Sequence, residues 1–299
     1  MAAEDIRHWN VGNVQISRIV ELNAQRTGVS DLYLNGAPDL VSKHSWLMPH
    51  FADADGQLIW AFQVFVVKSG TRRILVDTGI GNDKVRPNPK VRDQPMFDKL
   101  QSSFLGDLAA AGHPPDLIDI VLFTHLHLDH VGWNTRLVNG SWTPTFPRAR
   151  HLVRRGEWEH LPALAARLSA DGDFVADSIQ PLWEAGLIDL IESDQPVIEE
   201  VWLEATPGHT PAHASVHIAS DGRHALITGD LLHHPIQCAE PELWMPLTED
   251  YETSCRTLRS FLSRYEDRQA LIFGSHFADP TAGWILREGA NWRFCPEFS

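Results

Sequence analysis

The chain has 299 residues, 43% hydrophobic and 21% charged, which are the proportions of a globular protein with ample core material. Its 25 Lys and Arg against 39 Asp and Glu leave a formal charge of −14, which argues against a nucleic-acid partner, since phosphate contacts need clustered cations. Three scattered cysteines, Cys238, Cys255 and Cys295, are too few for a disulfide framework or a four-cysteine zinc site, so any bound metal falls to the 16 histidines and the carboxylates.

The first ten residues lack the basic and apolar regions of a secretory signal, and no run approaches the roughly 20 apolar residues of a membrane span. The expectation is a cytoplasmic protein with no membrane partner. Val14 to Leu22, after a Gly-Asn turn, reads as a strand. Residues 23–57 carry Gly28, Gly36, Pro38, Pro49 and Gly56 without clear periodicity, which predicts a functional loop or arm. Strands are expected over Leu58–Lys68 and Arg73–Val76, then a proline-bearing loop over 81–95. Phe97, Leu100, Phe104, Leu105 and Leu108 have helical spacing, and Gly112 stops that helix. Further strands are expected over Asp119–Thr124, Val201–Ala205, Ala214–Ala219, Ala225–Thr228 and Ala270–Phe273. Helices are expected over Gly156–Ala170 and after a Thr248 cap, with Tyr251, Cys255, Leu258 and Leu262 on one face. No linker-like stretch divides the chain. The reading is one domain over 1–299 with two sheet-and-helix halves and the 23–57 insertion.

The strongest motif is Thr124-His-Leu-His-Leu-Asp-His130. An extended segment points His125, His127 and Asp129 to one side, and a turn lets His130 join them. Imidazole with carboxylate suits zinc or a related divalent first-row metal. Three later residues follow short apolar strands in the same way: His209 in Pro207-Gly-His-Thr210, Asp230 after Gly229, and His276 in Gly274-Ser-His276. Strand ends on one rim of a sheet can converge.

This order of motifs, with Asp77 in Leu75-Val-Asp-Thr-Gly79, resembles the metallo-β-lactamase superfamily from about Val14 to His276. The resemblance implies an α/β fold, a four-layer αβ/βα sandwich. It implies one metal ion on His125, His127 and His209, a second on Asp129, His130 and His276, and Asp230 bridging them. The ions would be zinc, with manganese, iron or cobalt as alternatives. The bridging aspartate resembles the lactonase and organophosphate-hydrolase branch rather than the true β-lactamases. Asp77 reads as a supporting carboxylate rather than a ligand.

The activity implied is hydrolysis of a small, fairly apolar ester or lactone by a hydroxide shared between two ions, with Asp129 or Asp230 carrying a proton to the leaving group. No Gly-x-Ser-x-Gly elbow points to a serine nucleophile. Many homoserine lactonases of this superfamily place a tyrosine shortly after the bridging aspartate. Here Leu231-Leu-His-His-Pro235 puts His233 or His234 there, more like the ester- and organophosphate-cleaving branch. His233 is therefore a candidate catalytic or substrate-contacting residue, and phosphotriester hydrolysis is the alternative activity. A binding protein that has lost catalysis is the third reading. Trp133, Trp46, Trp158 and Phe277 are candidate pocket walls, although large aromatics mostly fill cores. The partner is a small-molecule substrate, and a homodimer is left open.

Overall fold

Ten consecutive residues from Leu58 to Val67 are buried, the pattern of a strand covered on both faces. The computed structural model that places them describes residues 6–87, 96–192 and 196–297. The chain forms two compact units. Unit 1 comprises Met1–Glu21 and Gln63–Glu192, and unit 2 comprises Leu22–Phe62 and Ser193–Ser299. Two strands run from one into the other.

The strands of the first half are β1 (His8–Val11), β2 (Val14–Thr27), β3 (Leu58–Ser69), β4 (Arg72–Val76), β5 (Ile120–Leu122), β6 (Thr135–Val138), β7 (Ser141–Pro144), β8 (Arg150–Arg154) and β9 (Ile188–Ile191). They form a sheet in the order β1-β2-β3-β4-β5-β8-β9 and a separate β6-β7 hairpin. The β4-β5-β8-β9 block is parallel, so its strands end on one edge. Asp77 follows β4 there, and the His125–His130 run follows β5. The strand expected at 14–22 is longer and is preceded by β1, joined through Gly12 in the left-handed region.

In unit 2, β10 (Pro196–Ile198), β11 (Val201–Ala205), β12 (Ala214–Ser220), β13 (Arg223–Ile227), β14 (Leu271–Phe273), β15 (Ala282–Glu288) and β16 (Asn291–Pro296) form one sheet in sequence order. β13 and β14 are parallel, and two antiparallel steps give β11 the same direction. His209, Asp230 and His276 therefore all follow strand ends on one edge of this sheet.

Three expectations change. The helix expected from Phe97 spans only Phe104–Ala110. The backbone before it is taken by neighbours: Asp83 N–H donates to Leu100 O, Lys99 N–H to Lys84 O and Ser102 N–H to Asn82 Oδ1. Thr248 does not cap the Tyr251–Arg264 helix; the Asp250 carboxylate does, accepting from Thr253 N–H. The 23–57 segment holds short helices at Val29–Leu32 and Leu40–Lys43, and buries Tyr33, Leu47 and Phe51 within unit 2. Tyr33 donates to Gln237 Oε1 at 3.1 Å, and the buried His234 ring meets Phe51 O at 2.8 Å. Of the expected 81–95 loop, Pro89 and Pro95 lie outside the described residues.

Unit 1 buries two charged networks. Lys84 and Arg86 are 0% and 1% exposed, and both meet Asp177, Arg86 through two hydrogen bonds of 2.7 and 2.8 Å. Burial presses the Lys84 ammonium down to about 7, against the pull of Asp177. Glu21 accepts from Ile80 N–H at 2.6 Å, Gly81 N–H at 3.0 Å, the Trp133 indole at 2.7 Å and Ser102 Oγ at 3.3 Å. Burial pushes its carboxyl up to about 7 despite those donors.

Removing the Asp177 carboxylate strands two buried cations. Asp177→Ala is expected to cost about 3–5 kcal/mol in denaturant unfolding, and a loss below about 1 kcal/mol would refute that role. For Glu21, the folded pKa lies above the unfolded one. Its contribution is complete below about 4.5 and is lost as pH rises through about 7. The stability of wild type relative to Glu21→Gln should thus fall between about pH 5 and about pH 8, and a difference rising with pH would contradict it.

Candidate metal centre

In unit 1, β4 and β5 deliver Asp77 and Thr124 side by side. Asp77 takes a left-handed backbone with φ 59°, which Asp tolerates better than most residues. Its Oδ1 accepts from Thr124 N–H at 2.8 Å, and its Oδ2 from the Thr124 hydroxyl at 2.8 Å and from His130 Nδ1 at 2.9 Å. The Thr124 oxygen, having donated its proton to Asp77, accepts from His125 Nδ1 at 3.0 Å. One carboxylate thereby places the proton of both His125 and His130 on Nδ1 and leaves each Nε2 as the ligand-type nitrogen.

The rings of His125 and His127 lie 4.6 Å apart, and those of His125 and His130 4.1 Å apart. His125 and His127 offer ligand atoms within 4.8 Å of each other, as do Asp129 and His130. His125, His127 and His130 are buried, and Asp129 is partly exposed. The buried Glu157 carboxylate accepts from Leu126 N–H at 3.3 Å and holds the run from beneath. Behind it, Gly132 N–H donates to Gly79 O at 2.8 Å, and a Cβ on Gly132 would lie 1.8 Å from Ile80 O. Only glycine permits that approach.

In unit 2, the Asp230 carboxylate is the centre of a histidine cluster. Nε2 of His209 and of His233 stand 3.2 Å from Oδ2, and Nε2 of His276 stands 3.0 Å from Oδ1. His213 holds the backbone from behind: its Nε2 accepts from Asp230 N–H at 3.0 Å, while its Nδ1 meets the Thr206 hydroxyl at 2.8 Å. His209 is carried by a loop in which Gly208, φ 135°, packs so closely that a Cβ would meet Ser254 Cα at 2.3 Å. Its Nδ1 faces the Thr248 hydroxyl at 3.5 Å.

His276 Nδ1 donates to the carbonyl of Ala61 at 3.1 Å, so in the neutral ring Nε2 holds a lone pair toward a carboxylate oxygen. Such an approach is stabilised by a proton or a divalent cation held between the two atoms. The donor set thus fits a metal of the zinc type, both in chemistry and in the way each ring is held.

Gln237 was invisible in the sequence pattern. Its Oε1 accepts from His233 N–H at 2.8 Å and from Tyr33, and so holds His233 against Asp230. Burial pushes His233 down to about 4, and its ring lies parallel to His276 with centroids 5.7 Å apart. The four aromatic candidates fall in different settings. In unit 1, Trp133 is buried, donates to Glu21 and stacks on Phe104 at 5.3 Å, while Trp158 stacks on the exposed Trp183 at 4.8 Å. In unit 2, Phe277 is fully buried against Phe294, and Trp46 is partly exposed beside His44. Trp60 and Phe62 pack on the His276 ring, at 6.0 and 5.0 Å.

Residues 63–273 match the family described as the metallo-beta-lactamase superfamily. An N-acyl homoserine lactonase from a Bacillus species is 30% identical over 154 residues, 50% of this chain and 54% of that protein; the match thus spans about half the length of this relative. The N-acyl homoserine lactonase AttM of Rhizobium radiobacter is 28% identical over 216 residues, 68% of this chain and 72% of that protein. Among solved structures, a hydrolase named AbOPH superposes with a TM-score of 0.80 at 22% identity, covering 98% of both chains. AidC, described as a dizinc quorum-quenching lactonase with a bound product, N-hexanoyl-L-homoserine, superposes with a TM-score of 0.78 at 19% identity, also over 98% of both. The two structures share the fold, and the sequence match covers well over half of the 299 residues, including every motif from Asp77 to Asp230: the chain belongs to the metallo-β-lactamase superfamily.

Proposed function

We propose that the chain is a dinuclear metal-dependent hydrolase acting on a small, fairly apolar lactone or ester. The reading assigns one ion to His125, His127 and His209, a second to Asp129, His130 and His276, and a bridging role to Asp230. The observation that carries it is the Asp230 cluster, in which the Nε2 atoms of three buried histidines converge on one carboxylate within 3.2 Å. A bound pair of divalent cations, with zinc the favoured identity, supplies a Lewis acid for the substrate oxygen and lowers the pKa of a water from 15.7 toward about 7.

The chain's own residues do the rest. Asp77 keeps His125 and His130 in the tautomer that presents Nε2, and Ala61 O does so for His276. The Asp129 or Asp230 carboxylate takes a proton and returns it to the leaving-group oxygen. His233, whose Nε2 stands 3.2 Å from Asp230, lies beside the assigned ligands, where it would contact a bound substrate. The apolar flank of His276, made by Trp60 and Phe62, suits an acyl or aryl group better than a polyanion, as does the −14 charge. Similarity to proteins named N-acyl homoserine lactonases supports a lactone over a phosphotriester as the substrate of this reading.

Two outcomes are expected. Metal analysis should find about two divalent ions per chain, and chelation or Asp230→Asn should lower turnover on a panel of lactones and aryl esters roughly 100-fold or more. A fully active metal-free protein would overturn the reading, and a phosphotriester turned over faster than any lactone or ester would replace its substrate. Asp77→Asn keeps a residue that accepts the left-handed backbone but removes the charge. Metal affinity, read by competition with a chelator, should fall roughly 10- to 100-fold with the circular dichroism unchanged, and unaltered affinity would show that Asp77 does not tune the ligands.

A further inference from the structure

Three polar side chains outside the family's ligand set form a diagonal line across one face of the unit 2 sheet. Trp202 pairs with His217 and Glu204 with Ser215, while His217 pairs with Leu226 and Ala219 with His224. Glu204, His217 and His224 are therefore diagonal neighbours on β11, β12 and β13, within reach of one another. His217 Nδ1 lies 3.4 Å from Glu204 Oε2, and His217 Nε2 lies 3.0 Å from His224 Nδ1.

The surroundings determine how these rings are used. Burial alone would raise the Glu204 carboxyl, but hydrogen bonds from His217 and Tyr265 and the charge of Arg264 hold it below the ordinary carboxylate value. An ionised carboxylate only accepts, so Tyr265 O–H donates to it at 2.5 Å, Arg264 at 2.6 Å, and His217 donates from Nδ1. His217 Nε2 is then left with its lone pair directed at His224. The Trp202 ring, stacked on His217 at 4.2 Å and 21°, fixes the plane of that imidazole. His217 is buried and His224 is exposed, and the contact between their two nitrogens is part-buried.

A separation of 3.0 Å is also what two metal–nitrogen bonds of about 2.0–2.1 Å span when they meet at about 95°. That angle is narrower than tetrahedral and matches the square-planar or tetragonal preference of copper(II) and nickel(II). The carboxylate behind a ligating histidine is the usual companion of such a nitrogen.

We propose that His217 Nε2 and His224 Nδ1 form a two-nitrogen surface site for a tetragonal divalent cation, with Glu204 orienting His217 and water completing the coordination. The site is built wholly within unit 2 and shares no residue with the ligand set assigned above.

The test uses the whole protein, first saturated with zinc and freed of excess, then titrated with copper(II). Zinc release is monitored alongside the electron paramagnetic resonance spectrum. Wild type should take up one further copper ion without releasing zinc and give a tetragonal signal split by two nitrogens. His224→Ala, at an exposed position beside a turn, should lose that splitting and bind the ion roughly 10-fold or more weakly, with zinc content and hydrolysis unchanged. Glu204→Gln should keep the splitting but weaken binding roughly 10- to 100-fold, a pattern that mere packing by Glu204 would not give. Equal copper affinity and spectra in wild type and His224→Ala would overturn the proposal, as would copper that enters only by displacing zinc.

Discussion

The Asp77 carboxylate is the constraint on which the histidine run depends. Two parallel strands end side by side, and Asp77 spans the gap by accepting from the Thr124 backbone, the Thr124 hydroxyl and His130. A histidine-rich segment without such an anchor has two tautomers per ring and many rotamers. Here one buried anion selects a single tautomer for two rings at once, and the entropy of ordering them is spent in folding rather than in binding. The strained backbone at Asp77 is the local cost of aiming its carboxylate across the strand ends.

Unit 2 solves the same problem with neutral partners. A backbone carbonyl orients His276, the Thr248 hydroxyl faces His209, and His213 holds the Asp230 amide. Gln237 collects donors from His233 and from Tyr33, so the segment that opens unit 2 and the loop after Asp230 share one amide oxygen. What looked in the sequence like an unpatterned arm is therefore part of the support for His233.

Much of the candidate site was legible in the sequence because residues that could share a metal ion must sit close together. Three alternating residues and an adjacent histidine after a short strand, and three single residues after other strands, leave a trace in linear order. The supports leave much less, since they come from anywhere the fold brings a donor. Gln237, Glu157 and the Ala61 carbonyl carry no motif, and Asp77 had one only through resemblance. The helix expected from Phe97 was read from apolar spacing, but backbone pairing with residues 82–84 claimed its first turns. Thr248 was a reasonable cap by residue type, yet Asp250 lies two residues nearer the helix, and Thr248 turns instead to His209. The tryptophans were the least legible, since a ring that lines a cavity and one that fills a core have the same composition.

The contact between Gly132 and Ile80 has a practical consequence for altering this protein. The two segments touch backbone to backbone, with no side chain between them to absorb a change. A loop graft or insertion at 79–81 would push directly on the turn that carries His130, and so register there must be kept when specificity is redesigned. The stretch after Asp230 is held instead by side chains, with one Gln237 oxygen accepting from His233 N–H, His234 N–H and the Tyr33 hydroxyl. Substitution at 233–237 would likewise reach beyond its own turn, because Gln237 and His234 tie that buried stretch to Tyr33 and to the Phe51 carbonyl.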